Sequence, residues 1–319
     1  MARIFYVLWS TGGITGGQKM IIRHVETLRE LGFDAYVYAT SGVPEQLDHR
    51  APVVRGAGVR AGDVVVAPDD GEEILQQCAA KAWRPVVIAQ NPYLMSRYGL
   101  NAIEAVAGAH PLTFIAVSEG LGRTLKRMFP AADVEVVRCF ADERRFRSPT
   151  AKRRAIAYTP KKRLLEAGAI EGFFKRLHPQ HANFAWNRIE KLSERETAEA
   201  FAASAVFLSL NRLESVGMTT LEAMASGCIC AGFLGVGGRE YATPDNGFWV
   251  PDDDCEAAAD ALAEACAVAL QGGPERQRRL EAGYETARQW TYAGFRRQLE
   301  ETWMRIAPDT RLQTTPLDV

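Results

Sequence analysis

Two glutamates eight residues apart, Glu214 and Glu222, frame the segment ESVGMTTLEAMASG at 214–227. Glu214 precedes a small turn, Ser215-Val216-Gly217, and a helix is expected over 217–226. On that helix Met218, Leu221, Glu222 and Ala225 share one face. A carboxylate on an otherwise apolar stripe is costly unless something hydrogen-bonds it. Ribose hydroxyls are suitable donors, and a backbone N–H is the structural alternative. The N–H groups of Val216–Met218, at a helix start, can meet a sugar oxygen or a carboxylate. A second candidate is Lys161-Lys162-Arg163, which follows the apolar run at 154–158. Cations at the carboxyl end of a strand in an open α/β sheet suit a diphosphate; a solvated basic face is the plainer reading. The third is Gly12-Gly13-Ile14-Thr15-Gly16-Gly17, after the first apolar run and before a helix. Glycines let backbone approach a ligand, and N–H groups at a helix start favour an anion; a flexible turn is the alternative. The loop is not G-x-G-x-x-G, and Tyr38-Ala39-Thr40 closes the second strand without an acid, which argues against a nicotinamide dinucleotide. No P-loop sequence occurs.

These residues need a frame, and the apolar pattern supplies one. Strands are expected at 4–9, 35–39, 63–67, 85–89, 112–117 and 134–137, with helices at 18–31, 71–82, 95–108 and 119–128 between them. The pattern then restarts: strands at 154–158, 183–186, 205–210, 229–233 and 247–250 alternate with helices at 161–177, 194–203, 217–226 and 254–270. Strands apolar on both faces and separated by helices indicate parallel sheets covered on both sides, so the chain reads as α/β with two doubly wound domains. The polar stretch 146–154 is the expected linker. Two further helices, 274–289 and 293–306, follow; Trp290, Phe295, Leu299 and Trp303 recur at roughly helical spacing, so the last one should pack against something.

Composition narrows the class. The chain has 319 residues, 47% hydrophobic and 24% charged, which excludes disordered and fibrous chains and suggests two domains. The early apolar run at 4–9 is far shorter than the roughly 20 residues of a membrane-spanning helix, and lacks the flanks of a secretory leader. Six scattered cysteines form no C-x-x-C pair, so a reduced, cytoplasmic protein is expected. Net charge is −1, yet 151–191 holds 10 Lys/Arg against 3 Asp/Glu, a local patch that attracts anions. Asp252-Asp253-Asp254 satisfies D-x-D but sits between a strand and a helix, where helix capping is the better reading. Leu121–Phe129 carries Arg123, Lys126 and Arg127 among apolar residues, which suits an anionic lipid surface; an ordinary covering helix is the stronger reading. His24 and His110 read as core or surface histidines. No aromatic-interleaved basic motif supports nucleic-acid binding.

The paired glutamates resemble the E-x(7)-E signature of retaining glycosyltransferases of family 4. The opening IFYVLWSTGGITGGQKMIIRHVETLRELGFDAYVYAT is similar to that superfamily's first strand, glycine loop and helix. IAVSEGLGRTLKRMF, VEVVRCFADERRF and GVGGREYATPDNGFWVPDDD resemble later segments, so the likeness spans about 3–305. It implies a GT-B fold: two Rossmann-like domains facing across a cleft, divided as 1–147, 148–285 and a C-terminal helical part, 286–319, that returns to the first domain. It implies transfer of a sugar from a nucleotide-diphosphate sugar to a saccharide or lipid-linked hydroxyl, with retention, without a metal or other cofactor, at the cytoplasmic side and serving cell-surface polysaccharide or glycan assembly. Glu222 would hold the donor ribose and Glu214 would orient the transferred sugar. Ser215, Val216, Gly217 and Met218 would bind sugar hydroxyls or phosphate. Gly16 and Gly17 would approach the donor phosphates or the reacting centre. One cation among Lys161, Lys162 and Arg163 would stabilise the leaving diphosphate, with Lys162 assigned that role. Where many relatives carry a first-domain histidine this chain has Gln90-Asn91-Pro92-Tyr93; Asn91, or else Tyr93, is assigned a hydrogen bond to acceptor or transferred sugar, and neither replaces an imidazole as a base. The missing histidine also admits a catalytically impaired nucleotide-sugar-binding protein of the same fold. Peripheral membrane contact is a further expected partner; nucleic acid is not.

Overall fold

A computed structural model describes residues 2–8, 15–39, 42–44, 47–56, 58–148 and 151–312. Trp9 of the first expected strand, Gly12, Gly13 and Ile14 of the glycine loop, and Pro149 and Thr150 of the expected linker lie outside them. The described chain forms two compact units, one holding residues up to Arg138 together with those from Phe295 onward, the other Cys139–Gly294. The division falls at 138/139 rather than at 147/148. Ala141 N–H bonds to Trp290 O at 2.9 Å and Phe146 packs on Phe201, so 139–148 is held inside the second unit.

In the first unit seven parallel strands run β1 (Ile4–Val7), β2 (Ala35–Tyr38), β3 (Val53–Val54), β4 (Val64–Pro68), β5 (Arg84–Ala89), β6 (Thr113–Ala116) and β7 (Asp133–Val136). Their spatial order is β3-β2-β1-β4-β5-β6-β7, which reverses between β1 and β4. β4 is buried at every residue, as expected of a strand covered on both faces. The helices are α1 (Gly16–Glu30), α2 (Glu72–Ala80), α3 (Pro92–Leu94), α4 (Leu100–Ala109) and α5 (Glu119–Met128). α1 starts at a capping box: Gln18 N–H donates to Thr15 Oγ1 at 3.2 Å, and Thr15 N–H donates to Gln18 Oε1 at 3.0 Å. Leu121 and Leu125 of α5 are buried, while Met128 at its end is exposed.

The second unit holds β8 (Arg153–Tyr158), β9 (Ala185–Arg188), β10 (Ser204–Leu210), β11 (Ile229–Phe233) and β12 (Gly247–Val250), again parallel, in the order β12-β11-β10-β8-β9. Here the order reverses between β8 and β10. The helices are α6 (Leu164–Leu177), α7 (Glu194–Ala203), α8 (Met218–Ala225), α9 (Cys255–Gln271), α10 (Gly273–Arg288) and α11 (Tyr292–Ile306). Ile156, Ile170, Phe174, Leu208 and Leu262 sit in its core. From Phe295 onward α11 belongs to the first unit: Phe295 packs edge-on to His24, and Trp303 Nε1 donates to Tyr6 Oη at 3.2 Å. Among the described residues no helix is long and apolar enough to cross a membrane, and the six cysteines are free thiols.

Two elements escape the apolar pattern. β3 is two residues long, too short to show a period. The helix expected over 95–108 begins earlier, as α3, then widens into a π-helical turn at Met95–Gly99 before α4.

Candidate active site

β8 ends at Tyr158, and Pro160 opens a one-turn 3-10 helix, Pro160–Lys162, that leaves Lys161 and Lys162 exposed. β10 ends at Leu210, and the chain turns through Asn211–Gly217 into α8. The two loops meet, with Lys162 Nζ 2.7 Å from Glu214 Oε1. They leave the two strands between which the sheet order reverses, the edge where open α/β sheets bind ligands. The Lys162 side chain is 55% exposed, so the ion pair contributes at most about 1 kcal/mol. An incoming anion can therefore take the ammonium from Glu214 at little cost.

A buried polar network fixes this turn. Gly217 has φ +74°, and a Cβ there would lie 2.4 Å from Asn211 Nδ2, so the left-handed turn requires glycine. Asn211 Nδ2 donates to Thr220 Oγ1 at 3.1 Å, Tyr241 Oη donates to Gly217 O at 3.0 Å, and Ser209 Oγ donates to Phe233 O at 2.7 Å. Burial pushes the Tyr241 hydroxyl well above its ordinary range, so it remains a donor. Val216 is buried, while Ser215 and Met218 are half-buried beside it. Glu222 is buried on α8 at 4% exposure. The single apolar stripe expected for this helix is corrected: Thr220–Met224 are all buried and Met218 and Ala225 only partly so, because α7, α10, β10 and β11 enclose the helix from several sides.

Arg163 does not face a ligand. It is 2% exposed; Nε donates to Asn211 O at 3.0 Å, Nη1 to Asp253 and to Glu166 (3.2 Å), and Nη2 to Asp252 at 3.4 Å. Its guanidinium lies over the Phe233 ring, 4.7 Å from the centroid. The expected donor contact is corrected to a structural tie among the loops after β8, β10 and β12, packed on the end of β11. The reason is charge: two of the three consecutive aspartates neutralise it. Asp254 caps α9, accepting from Ala257 N at 3.0 Å, as the capping reading expects. Lys152 Nζ donates to Phe201 O and Ser226 O, at the ends of α7 and α8 where helix dipoles favour a cation. Two of the ten cations of 151–191, Lys152 and Arg163, are thus held inside the unit.

In the first unit Gly16 and Gly17 open α1, and Gln90 Nε2 donates to Gly17 O at 3.1 Å. Asp69, directly after β4, is 2% exposed, and its Oδ2 accepts the N–H groups of Gln90 and Asn91, each at 2.9 Å. Burial outweighs those bonds and pushes its carboxyl up to about 7. Asn91 Oδ1 accepts from Tyr93 N (3.0 Å) and Leu94 N (3.2 Å), so its side-chain oxygen is engaged as the cap of α3. A residue before Pro92 at a helix start is a natural cap. His24 is fully buried beside Tyr6 and Phe295, and burial pushes it down to about 3, as befits a core histidine. His110 follows α4, half-buried.

Sequence reading missed Asn211, Tyr241 and Asp69. An acidic pair, Asp69-Asp70, closing the apolar run VVVAP was the available signal for the third. Asn211 and Tyr241 act by buried contacts between distant loops and leave no local pattern.

Residues 161–268 match the family model described as Glycosyl transferases group 1. The chain is 26% identical over 267 residues to an alpha-1,6-glucosyltransferase of Actinobacillus pleuropneumoniae serotype 7 (strain AP76), covering 79% of each chain. Among solved structures it resembles sucrose-phosphate synthase from Thermosynechococcus elongatus (TM-score 0.71, 11% identity, 96% of this chain and 100% of that one). It also resembles HepE of Anabaena in complex with UDP-glucose (TM-score 0.57, 14% identity, 95% and 99%). The two parallel α/β sheets and these neighbours give the chain the GT-B fold, and the family match with the curated relative supports a glycosyltransferase.

Proposed function

We propose that the chain is a retaining glycosyltransferase of the family 4 type. It moves a sugar from a nucleotide-diphosphate sugar to a saccharide or lipid-linked hydroxyl, in glycan or cell-surface polysaccharide assembly. The observation that carries this reading is the Lys162–Glu214 pair at the reversal point of the second sheet, beside the start of α8 and the buried Glu222. In such a transfer the sugar–phosphate bond breaks, and negative charge grows on the diphosphate while the sugar becomes cationic. Lys162, weakly held by Glu214, would shift to the diphosphate. Glu214, freed of its partner, would lie beside the sugar and orient it. The N–H groups at the start of α8 favour the same anion. Groups already aimed at the developing charge stabilise the transition state more than the ground state. The acceptor proton would pass to the leaving phosphate as the new bond forms on the same face. The positive charge comes from protein groups, and Asp252, Asp253 and Asp254 are engaged with Arg163 and the α9 cap, which supports a reaction without a divalent ion. HepE was solved with UDP-glucose, and a uridine nucleotide is the first donor to try.

Thermal unfolding with UDP, GDP, dTDP, CDP and ADP and their sugars, with and without EDTA, tests the reading. One nucleotide should raise the midpoint by a few degrees regardless of EDTA, and Glu222→Ala should abolish the rise. No response to any nucleotide overturns the donor site. Binding without transfer to any acceptor favours the impaired sugar-nucleotide-binding protein.

A further inference from the structure

The basic helix α5 lies beside an edge of the first sheet. β7 is the last strand in the spatial order, with β6 on one side only. Asp133 N–H bonds to Leu112 O and Val137 N–H to Ala116 O, each at 2.9 Å. Alternate residues of a parallel ladder bond to the same neighbour, so 133, 135 and 137 face β6. Val134 and Val136 therefore turn their N–H and C=O groups outward. Their side chains lie on the α5 side of the sheet: a Cβ at Gly122 would sit 3.0 Å from Val136 and 3.9 Å from Val134. Glu135 is on the other face, where it pairs with Arg305 of α11. Between α5 and this edge runs a groove of about 470 Å³, lined by Gly122, Arg123, Lys126, Arg127, Val134 and Val136. Lys126 Nζ is tied to Ala132 O at 2.9 Å, and Glu119, also at the groove, pairs with Arg138 at 3.3 Å. Arg123 and Arg127, one helical turn apart, are exposed, and among the described residues no carboxylate pairs with either.

We propose that this groove takes an extended acidic segment of a partner protein, which pairs with β7 as an added strand and sets its carboxylates against Arg123 and Arg127. Backbone and charge point to the same occupant. The added strand would satisfy the outward N–H and C=O groups of Val134 and Val136. Its side chains would alternate between the two faces of the sheet, so every second one would reach the α5 side, where the arginines are. Acidic residues at alternate positions complement that pattern. A lipid surface fits less well. Leu121 and Leu125 are buried, and Met128 is the one large apolar side chain of α5 that is exposed, which leaves little to enter a bilayer. A second copy also fits poorly: β7 paired with β7 about a two-fold axis would set two cationic grooves side by side on one face of the joined sheet. The partner site does not rest on the glycosyltransferase reading.

The test titrates the full chain into a short fluorescent peptide of alternating Glu and Val, followed by anisotropy at low salt. Three further peptides are compared: one with Lys in place of Glu, one N-methylated at every Glu, and one N-methylated at every Val. The acidic peptide should bind and the Lys peptide should not. One N-methylated peptide should lose binding and the other keep it, because alternate residues present their N–H groups to the same edge. Arg123→Glu/Arg127→Glu should weaken binding about tenfold or more, with its unfolding midpoint within about 2 °C of wild type. Raising the salt to about 0.5 M should weaken wild-type binding as well. Failure of the acidic peptide to bind overturns the proposal, as does unchanged affinity in the charge-reversed variant. Loss of binding in both N-methylated peptides or in neither overturns the added strand. Arginine-dependent binding to phosphatidylglycerol vesicles in place of the peptide assigns the groove to lipid, and a dimer whose formation the peptide does not oppose assigns the edge to a second copy; either result overturns the acidic partner.

Discussion

The two sheets each reverse their strand order once, and the residues gathered at the two reversal points differ in kind. In the second unit the rim carries charge: Lys162 and Glu214 pair near the surface, above a buried network of Asn211, Thr220 and Tyr241. In the first unit the charge is underneath: Asp69 is buried, and the rim above it carries tyrosines. An exposed pair can exchange partners with an anion, whereas a buried carboxylate held by two N–H groups can only fix a loop. The same edge of the same kind of sheet thus carries an exposed ion pair in one unit and exposed tyrosines near a buried acid in the other. Neighbouring residues show the contrast on a smaller scale. Lys162 is on the rim and Arg163, the next residue, is locked beneath it.

Arg163→Met should cost about 1–3 kcal/mol in urea unfolding, because the Asn211 carbonyl loses its buried donor while Asp252 and Asp253, reached by solvent, lose a partner. A loss under 1 kcal/mol would make Arg163 as dispensable as a rim cation. Asp69 sharpens the other side of the comparison. Its native carboxyl titrates near 7, raised by burial, against an unfolded value near 4. The native state therefore holds a proton that the unfolded state has lost between about pH 4 and 7, and stability should fall as pH rises through that window, by on the order of 4 kcal/mol. Asp69→Asn should flatten this slope; parallel pH profiles of the midpoint for variant and wild type would mean that Asp69 is not the buried acid it is drawn as. Lys162→Met should lower kcat about 100-fold while shifting stability by less than about 0.5 kcal/mol. If it instead destabilised the chain as Arg163→Met does, the division between rim and keystone would collapse. Gly217→Ala should cost about 1–2 kcal/mol, read by thermal unfolding, and should weaken donor binding with it, since the positive φ and the contact with Asn211 both resist a side chain.

Eleven of the twelve strands were legible as short β-rich runs, mostly set between helices, with the central ones such as β4 and β11 buried at every residue; β3, with two residues at an edge, was not. The turn from Glu214 into α8 was legible for a similar reason, since its small residues and helix start are consecutive. Roles that depend on a partner far along the chain were not. Arg163 reads as one of three adjacent cations, and only the return of Asp252 and Asp253 from beyond β12 separates it from Lys162. Asn91 reads as a polar side chain at a strand end, and the short α3 that consumes its oxygen is hidden by Pro92 and the π-helical turn.

The chain's own order of residues determined the elements, the two doubly wound sheets and the candidates at their carboxyl edges, because hydrophobic period and turn chemistry act over a few residues. Tertiary structure decided which candidates are available to a ligand. Burial and charge pairing depend on what folding brings from elsewhere, and it brought carboxylates to Arg163, backbone N–H groups to Asp69, and left Lys162 and Tyr98 exposed to solvent.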